Sequence, residues 1–134
     1  MNKKLLILLF LSISLIACNG TSLKKRASSL HETITEYNVS LRWAMLNRLE
    51  GFHLGKDGEV KTLDRSAMEK IRVTGYDILD VSYNEDASEA VVKGQVKYYT
   101  TDSGTLKTLD FTHTWWYDEE HKQWFNASDY LDLR

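Results

Sequence analysis

The stretch "GYDILDVSYNEDASEAVVKGQVKYY", Gly75 to Tyr99, decides the fold. Its second half alternates with period two: Ala90, Val92, Gly94, Val96 and Tyr98 share one face, while Lys93, Gln95 and Lys97 share the other. That pattern marks a strand with one side buried and one side wet. Tyr76 to Tyr83 is a similar run, separated from the first by the polar turn "NEDAS". Working outward, "TDSG" turns the chain into Leu106 to Tyr117, with Leu109, Phe111, His113, Trp115 and Tyr117 on one face and Thr108, Asp110, Thr112 and Thr114 on the other. A fourth strand is expected from Lys122 to about Tyr130, completing an antiparallel meander.

Upstream the period changes to 3.6. "SLHE" reads as a capping box, with Ser29 and Glu32 placed to satisfy backbone donors at a helix start. Leu30, Ile34, Tyr37, Leu41, Ala44, Met45 and Leu49 follow at spacings of three and four, and Val39, Trp43 and Leu46 widen the apolar face. Leu23 and Ala27 extend the stripe backwards, so a start near Ser22 is also open; Gly51 is the expected stop. "GFHLGKDGEVKTL" reads as a loop or small irregular hairpin, and "SAMEKIR" as a short helix capped by Ser66 and Glu69. The expectation is an α+β domain: a long N-terminal helix and a short one packed on a curved four-stranded antiparallel sheet.

The first residues are set apart from this domain. "MNKKLLILLFLSISLIAC" has a basic end, an apolar run and a small-residue boundary, the organisation of an export signal. Its apolar run is shorter than the roughly 20 residues that span a bilayer core. "LIAC", Leu15 to Cys18, resembles the lipobox of bacterial lipoproteins, in which the thiol is lipidated and the signal is cut before it. The resemblance implies a signal peptide over 1–17 and a palmitate-bearing Cys18; the polar, small and basic "NGTSLKKRASS" after it reads as a tether, so that Cys18 and the tether span 18–28 and the domain 29–134. Cys18 is the one cysteine of the chain, so no intrachain disulfide can hold the domain. The implied partner is the membrane, reached through Cys18, and the implied address is the cell envelope. Asn19 is not the aspartate of inner-membrane retention, so the outer membrane, periplasm side, follows in a Gram-negative source.

Of the 17 basic residues, Lys3 and Lys4 belong to the signal, which leaves 15 against 19 acidic, a formal charge of −4. Neither that balance nor any motif favours nucleic acid. Lys24, Lys25 and Arg26 could rest on anionic headgroups, or form the solvated start of the helix.

The order of elements, with the Tyr76-x-Ile78 strand, the Ala90-x-Val92-x-Gly94 strand and the closing "WWYDEEHKQWF" hairpin, resembles the NTF2-like superfamily and neighbouring cystatin-like folds. The resemblance implies a sheet wrapped around the long helix, with a cone-shaped pocket between them. Tyr37, Trp43, Tyr98, Phe111, His113 and Trp115 are the expected pocket residues. Enzymes of that superfamily place acid-base residues in the cone, which makes His113 the catalytic candidate, with Tyr98 or Tyr37 as hydrogen-bond donor. A lone histidine on an apolar face is more often a core residue, and no cofactor is implied. No metal site is expected either: "HETIT" at His31 lacks the second histidine of HExxH, and His113 and His121 sit on opposite arms of the last hairpin.

Trp115 and Trp116 are adjacent in a strand and must face opposite sides. A three-residue turn pairs Trp116 with Trp124 on the outer face; a two- or four-residue turn sends Trp124 inward and leaves Phe125 beside Trp116. Trp116 and Trp124 are therefore the expected partner surface, unless the C-terminal "YLDLR" or the helix-to-strand loop covers it. The preferred function is a membrane-anchored, non-catalytic domain that binds a ligand, an envelope protein or a second copy of itself. The alternatives are a pocket enzyme of isomerase or dehydratase type acting on a small apolar molecule, and a structural envelope subunit.

Overall fold

The computed structural model describes the backbone of residues 3–134 and the side chains from residue 20 onward. The chain is α+β, with the order α1 (Lys3–Arg42), α2 (Leu46–Phe52), α3 (Arg65–Glu69), β1 (Ile71–Tyr83), β2 (Glu89–Thr100), β3 (Lys107–Asp118) and β4 (Gln123–Asn126). The four strands form one antiparallel sheet in sequence order, leaving β1 at an open edge. The expected signal peptide and Cys18, the expected lipidation site, lie outside the residues whose side chains are described. Among the described residues no helix is long and apolar enough to cross a membrane.

The helical layer departs from expectation in three places. First, α1 does not begin at a Ser29 cap but runs through the stretch expected to be a tether. Arg26 shows why that stretch is ordered. Its guanidinium donates to the Asp86 carbonyl at 3.0 Å, pairs with Glu119 and lies 4.9 Å over the Tyr117 ring, while its carbonyl accepts the Trp124 indole N–H at 3.1 Å. One residue of α1 thus touches both the β1–β2 and the β3–β4 turns. Second, the helix stops at Arg42 rather than Gly51. The Met45 N–H bonds the Ser40 carbonyl at 2.8 Å, the Ala44 N–H faces the Leu41 carbonyl at 3.4 Å, and Ala44 has φ 51°. These are the two bonds of a Schellman end, with alanine in the left-handed position that glycine usually takes. Gly51 falls inside α2. Third, α3 is capped by Asp64, whose carboxylate accepts the Ala67 N–H at 3.1 Å, and not by Ser66.

The strands follow the expected faces. On β2, Ala90, Val92, Gly94, Val96 and Tyr98 are buried on one face; on β3, Phe111, His113 and Trp115 are buried on the same side. Register makes these faces complementary in size: Ala90 lies opposite Trp115, Val92 opposite His113 and Gly94 opposite Phe111. Each large ring of β3 therefore meets a smaller residue on β2. At Gly94 the fit leaves no room for a side chain, since a Cβ would stand 2.5 Å from both the Asp77 carbonyl and the Phe111 ring.

β1 slips register at Thr74 and at Leu79, two single-residue irregularities that keep Ile71, Val73, Tyr76, Ile78, Val81 and Tyr83 on the inner face. β4 is shorter than expected. It stops at Asn126: the Ala127 N–H still bonds the Thr114 carbonyl at 2.8 Å, but the Thr114 N–H goes to Ser128 Oγ at 2.8 Å and Asn126 Oδ1 accepts the Ser128 N–H at 2.9 Å, so side chains take over from the ladder. Outside β4, the segment after α2 forms a small irregular hairpin, with Leu54 paired to Val60 and His53 bridged to Asn126.

Candidate functional site

The last hairpin takes the four-residue turn, Glu119 to Lys122, because Asp118 pairs with Gln123 and Trp116 with Phe125. This overturns the Trp116 and Trp124 partner surface. Trp124 faces inward, 2% exposed, where its indole N–H is held by the Arg26 carbonyl and its ring meets Tyr117 and Tyr83. Trp116 shares the outer face with Phe125, their rings 5.3 Å apart, and its indole N–H donates to the Leu54 carbonyl at 2.8 Å. The helix-to-strand loop therefore reaches the outer aromatics, and a half-buried indole tied to that loop replaces the expected open patch.

The inner aromatics converge where β3 passes beneath α1. Tyr37 is the hub. Its ring stands 5.6 Å from Phe52, 5.8 Å from His113 and 5.6 Å from Trp115, all edge-to-face, and 6.0 Å from Tyr76. Tyr76 stacks on Phe111 at 4.9 Å, and Phe111 lies 4.7 Å from His113. Edge-to-face packing at these separations is the favourable geometry for aromatic pairs and fills volume efficiently. The expected cone is thus occupied by the protein's own rings.

Of the six expected pocket residues, Tyr37, Phe111, His113 and Trp115 are brought together. Tyr98 is not: it lies opposite Lys107, whereas His113 lies opposite Val92, six residues or about 20 Å further along the strand. It cannot serve His113 as a hydrogen-bond donor. Trp43 is not part of the group either. It falls just beyond the helix end created by Ala44 and is 76% exposed.

A second histidine enters that the sequence reading missed. His53 is buried, with Nε2 3.1 Å from the Tyr37 hydroxyl, Nδ1 2.9 Å from the Ser128 carbonyl, and its ring 3.9 Å from Tyr130. A carbonyl only accepts, so Nδ1 carries the proton and Nε2 accepts from Tyr37. Nothing local in "GFHLG" announces this role; it follows from β4 ending at Asn126 and presenting the Ser128 carbonyl.

The electrostatics follow from burial. Desolvation lowers the His53 pKa to about 4, against the raising effects of the Ser128 carbonyl and Asp129. Burial, and then the neighbouring His53, lowers His113 to about 3. The Tyr37 hydroxyl is pushed well above its ordinary value by burial, then by Tyr76 and Tyr130. At neutral pH both histidines are uncharged and Tyr37 keeps its proton. His113 is 2% exposed, and neither ring nitrogen has a hydrogen-bond partner among the described residues. A general base needs reach to a substrate proton and a group that orients it. Tyr37, whose ring meets His113, spends its proton on His53 instead.

Elsewhere, His121 is paired with Asp118 at the exposed turn, and that carboxylate raises its pKa. Among the described residues no group of three or more histidine, cysteine or carboxylate side chains could hold a metal ion. Compared with family models, curated proteins and solved structures, the chain matches none of them.

Proposed function

We propose that the protein is a lipid-anchored, non-catalytic binding domain of the bacterial cell envelope. The observation that carries the non-catalytic part is the filled cone: the only expected base, His113, is sealed among Tyr37, Phe111 and His53, neutral and without an orienting partner. A pocket enzyme of the NTF2-like kind needs open space at that histidine. The anchoring part rests on the sequence, on the basic start, the apolar run and the "LIAC" boundary at Cys18.

Anchoring is tested in cells fed radiolabelled palmitate. The full chain is expected to take up label and to lose its first 17 residues, and Cys18→Ser is expected to take up no label and to keep them. Retention of label, or removal of the first 17 residues without label, in the serine variant would contradict the lipoprotein reading. The non-catalytic reading is tested by His113→Leu, which is expected to leave binding of any partner intact and to be at least as stable as the parent at neutral pH, because it removes a buried polar ring that has no hydrogen bond.

A further inference from the structure

The helix and the sheet are not closed against each other everywhere. Beyond the aromatic hub, between α1 and the edge strand β1, lies a groove of about 380 Å³ lined by Ile34, Tyr76, Ile78, Val81 and Tyr83, with His31, Thr35 and Asn38 along the helix side. Ile78 is 38% and Tyr83 40% exposed within it, and Leu79, the extra residue of the β1 irregularity, is 69% exposed beside it. Two polar atoms of its lining, Asn38 Oδ1 and the Tyr76 hydroxyl, are out of reach of solvent and have no hydrogen-bond partner among the described residues. One is an acceptor and the other a donor.

We propose that this groove takes an extended peptide segment of another protein, added to β1 as a fifth strand, with apolar and basic residues alternating along it. The edge supplies the form. A strand with no neighbour on one side presents unpaired backbone groups that a second extended chain can satisfy. The two faces supply the pattern. Side chains of the added strand on the inner side fall into the apolar groove; those on the outer side fall beside Asp77 and Asp80. Asp80 lies opposite Lys93 but has no cation within ion-pair distance among the described residues, its carboxylate taking the Ser82 hydroxyl at 3.2 Å, and Asp77 reaches only Lys97 at 3.8 Å, half in solvent, so both carboxylates stay open on the edge side. An acidic outer edge beside an apolar inner one selects Lys or Arg alternating with Val, Ile or Leu.

The same charges disfavour a second copy of this chain as occupant. An antiparallel pairing of two β1 strands centred on the exposed Ile78–Leu79 pair would set Asp77 of each copy against Asp80 of the other, and like charges directly opposite are destabilising.

The proposal deepens the binding-domain reading and rests on it. It is tested with the full ¹⁵N-labelled chain in an uncharged detergent, titrated with acetyl-(Lys-Val)₃-amide and with acetyl-(Glu-Val)₃-amide. Saturable amide shifts confined to residues 76–83 and 31–38 are expected for the lysine peptide, which should bind about tenfold or more tightly than the glutamate one. Ile78→Lys should abolish those shifts, and Asn38→Leu should weaken them severalfold. Leu79→Lys, at a more exposed position, serves if Ile78→Lys melts early. No saturable shift, equal binding of both peptides, or shifts elsewhere would overturn the proposal. So would a concentration-dependent dimer, seen by sedimentation in the same detergent and lost in Ile78→Lys, which would assign the edge to a second copy. Palmitate labelling of the same chain separates the two readings: failed peptide binding with intact Cys18-dependent labelling sinks the groove alone.

Discussion

The same helix covers the same sheet in two different ways. Over β3 the interface is closed by rings, Tyr37 against His113 and Trp115 with Phe111 packed on His113, each ring of β3 facing a smaller residue on β2. Over β1 it is open, because the inner face there carries Ile78, Val81 and Tyr83 and no aromatic of α1 reaches across to them. The difference teaches that a helix laid on a sheet does not by itself make a pocket or fill one. Side-chain volume at each register position decides, and here it closes the centre and leaves the edge free.

The largest effect is expected from emptying the closed side. Trp115→Ala should cost about 3–5 kcal/mol, whereas Ile78→Ala at the open edge should cost under about 1 kcal/mol; urea unfolding of the two variants measures the contrast. Similar losses at both positions would mean that the two regions are not packed differently.

Acid should act on the closed side next. An unfolded histidine takes up its proton near pH 6.5, while His53 and His113 resist it until about pH 4 and 3 in the folded chain. The unfolded state therefore binds more protons within that window, and stability falls as pH drops from about 6.5. The slope is roughly 1.4 kcal/mol per pH unit for each histidine. His113→Leu should remove about half of the pH dependence contributed by the pair. Stability measured by urea midpoints at pH 7, 6 and 5 tests this, and a profile unchanged by the substitution would show His113 to be solvated.

Between the two regions, Gly94→Ala should cost about 1–3 kcal/mol, since its Cβ would press on the Asp77 carbonyl of β1 and the Phe111 ring of β3 together. Smallest is a gain at the end of the helix that spans both regions. Ala44→Gly should stabilise by about 1 kcal/mol, because glycine takes the left-handed conformation at C′ without the steric penalty of a Cβ. Thermal melting distinguishes both from the parent.

Much of the sheet was legible because period two is a strong signal: the inner faces of β2 and β3 were read residue by residue. The helix ends were not. Ala44 is the best helix former and gives no warning of a left-handed cap, so Trp43 was expected in the pocket and lies in solvent. Asp64, two residues before the expected Ser66 cap, took its place. The hairpin register turned on one residue of loop length, which alone sends Trp124 in and Phe125 out. The site was legible only in part. Tyr37 and the β3 aromatics were found from their faces, but His53 sits in a loop and gains its partners from Tyr37 and Ser128, 16 and 75 residues away in sequence. Contacts of that range have no local pattern.

The claim that the centre is closed is tested most directly on the histidine rings themselves. Side-chain ¹⁵N spectra of the full chain between pH 8 and 5.5 should show His113 neutral throughout and His53 as the Nδ1–H tautomer, while His121, paired with Asp118, titrates above the ordinary histidine value. A His113 ring that titrates near pH 6.5 in the folded protein would contradict the account, for it would place the imidazole in reach of solvent and reopen the cone.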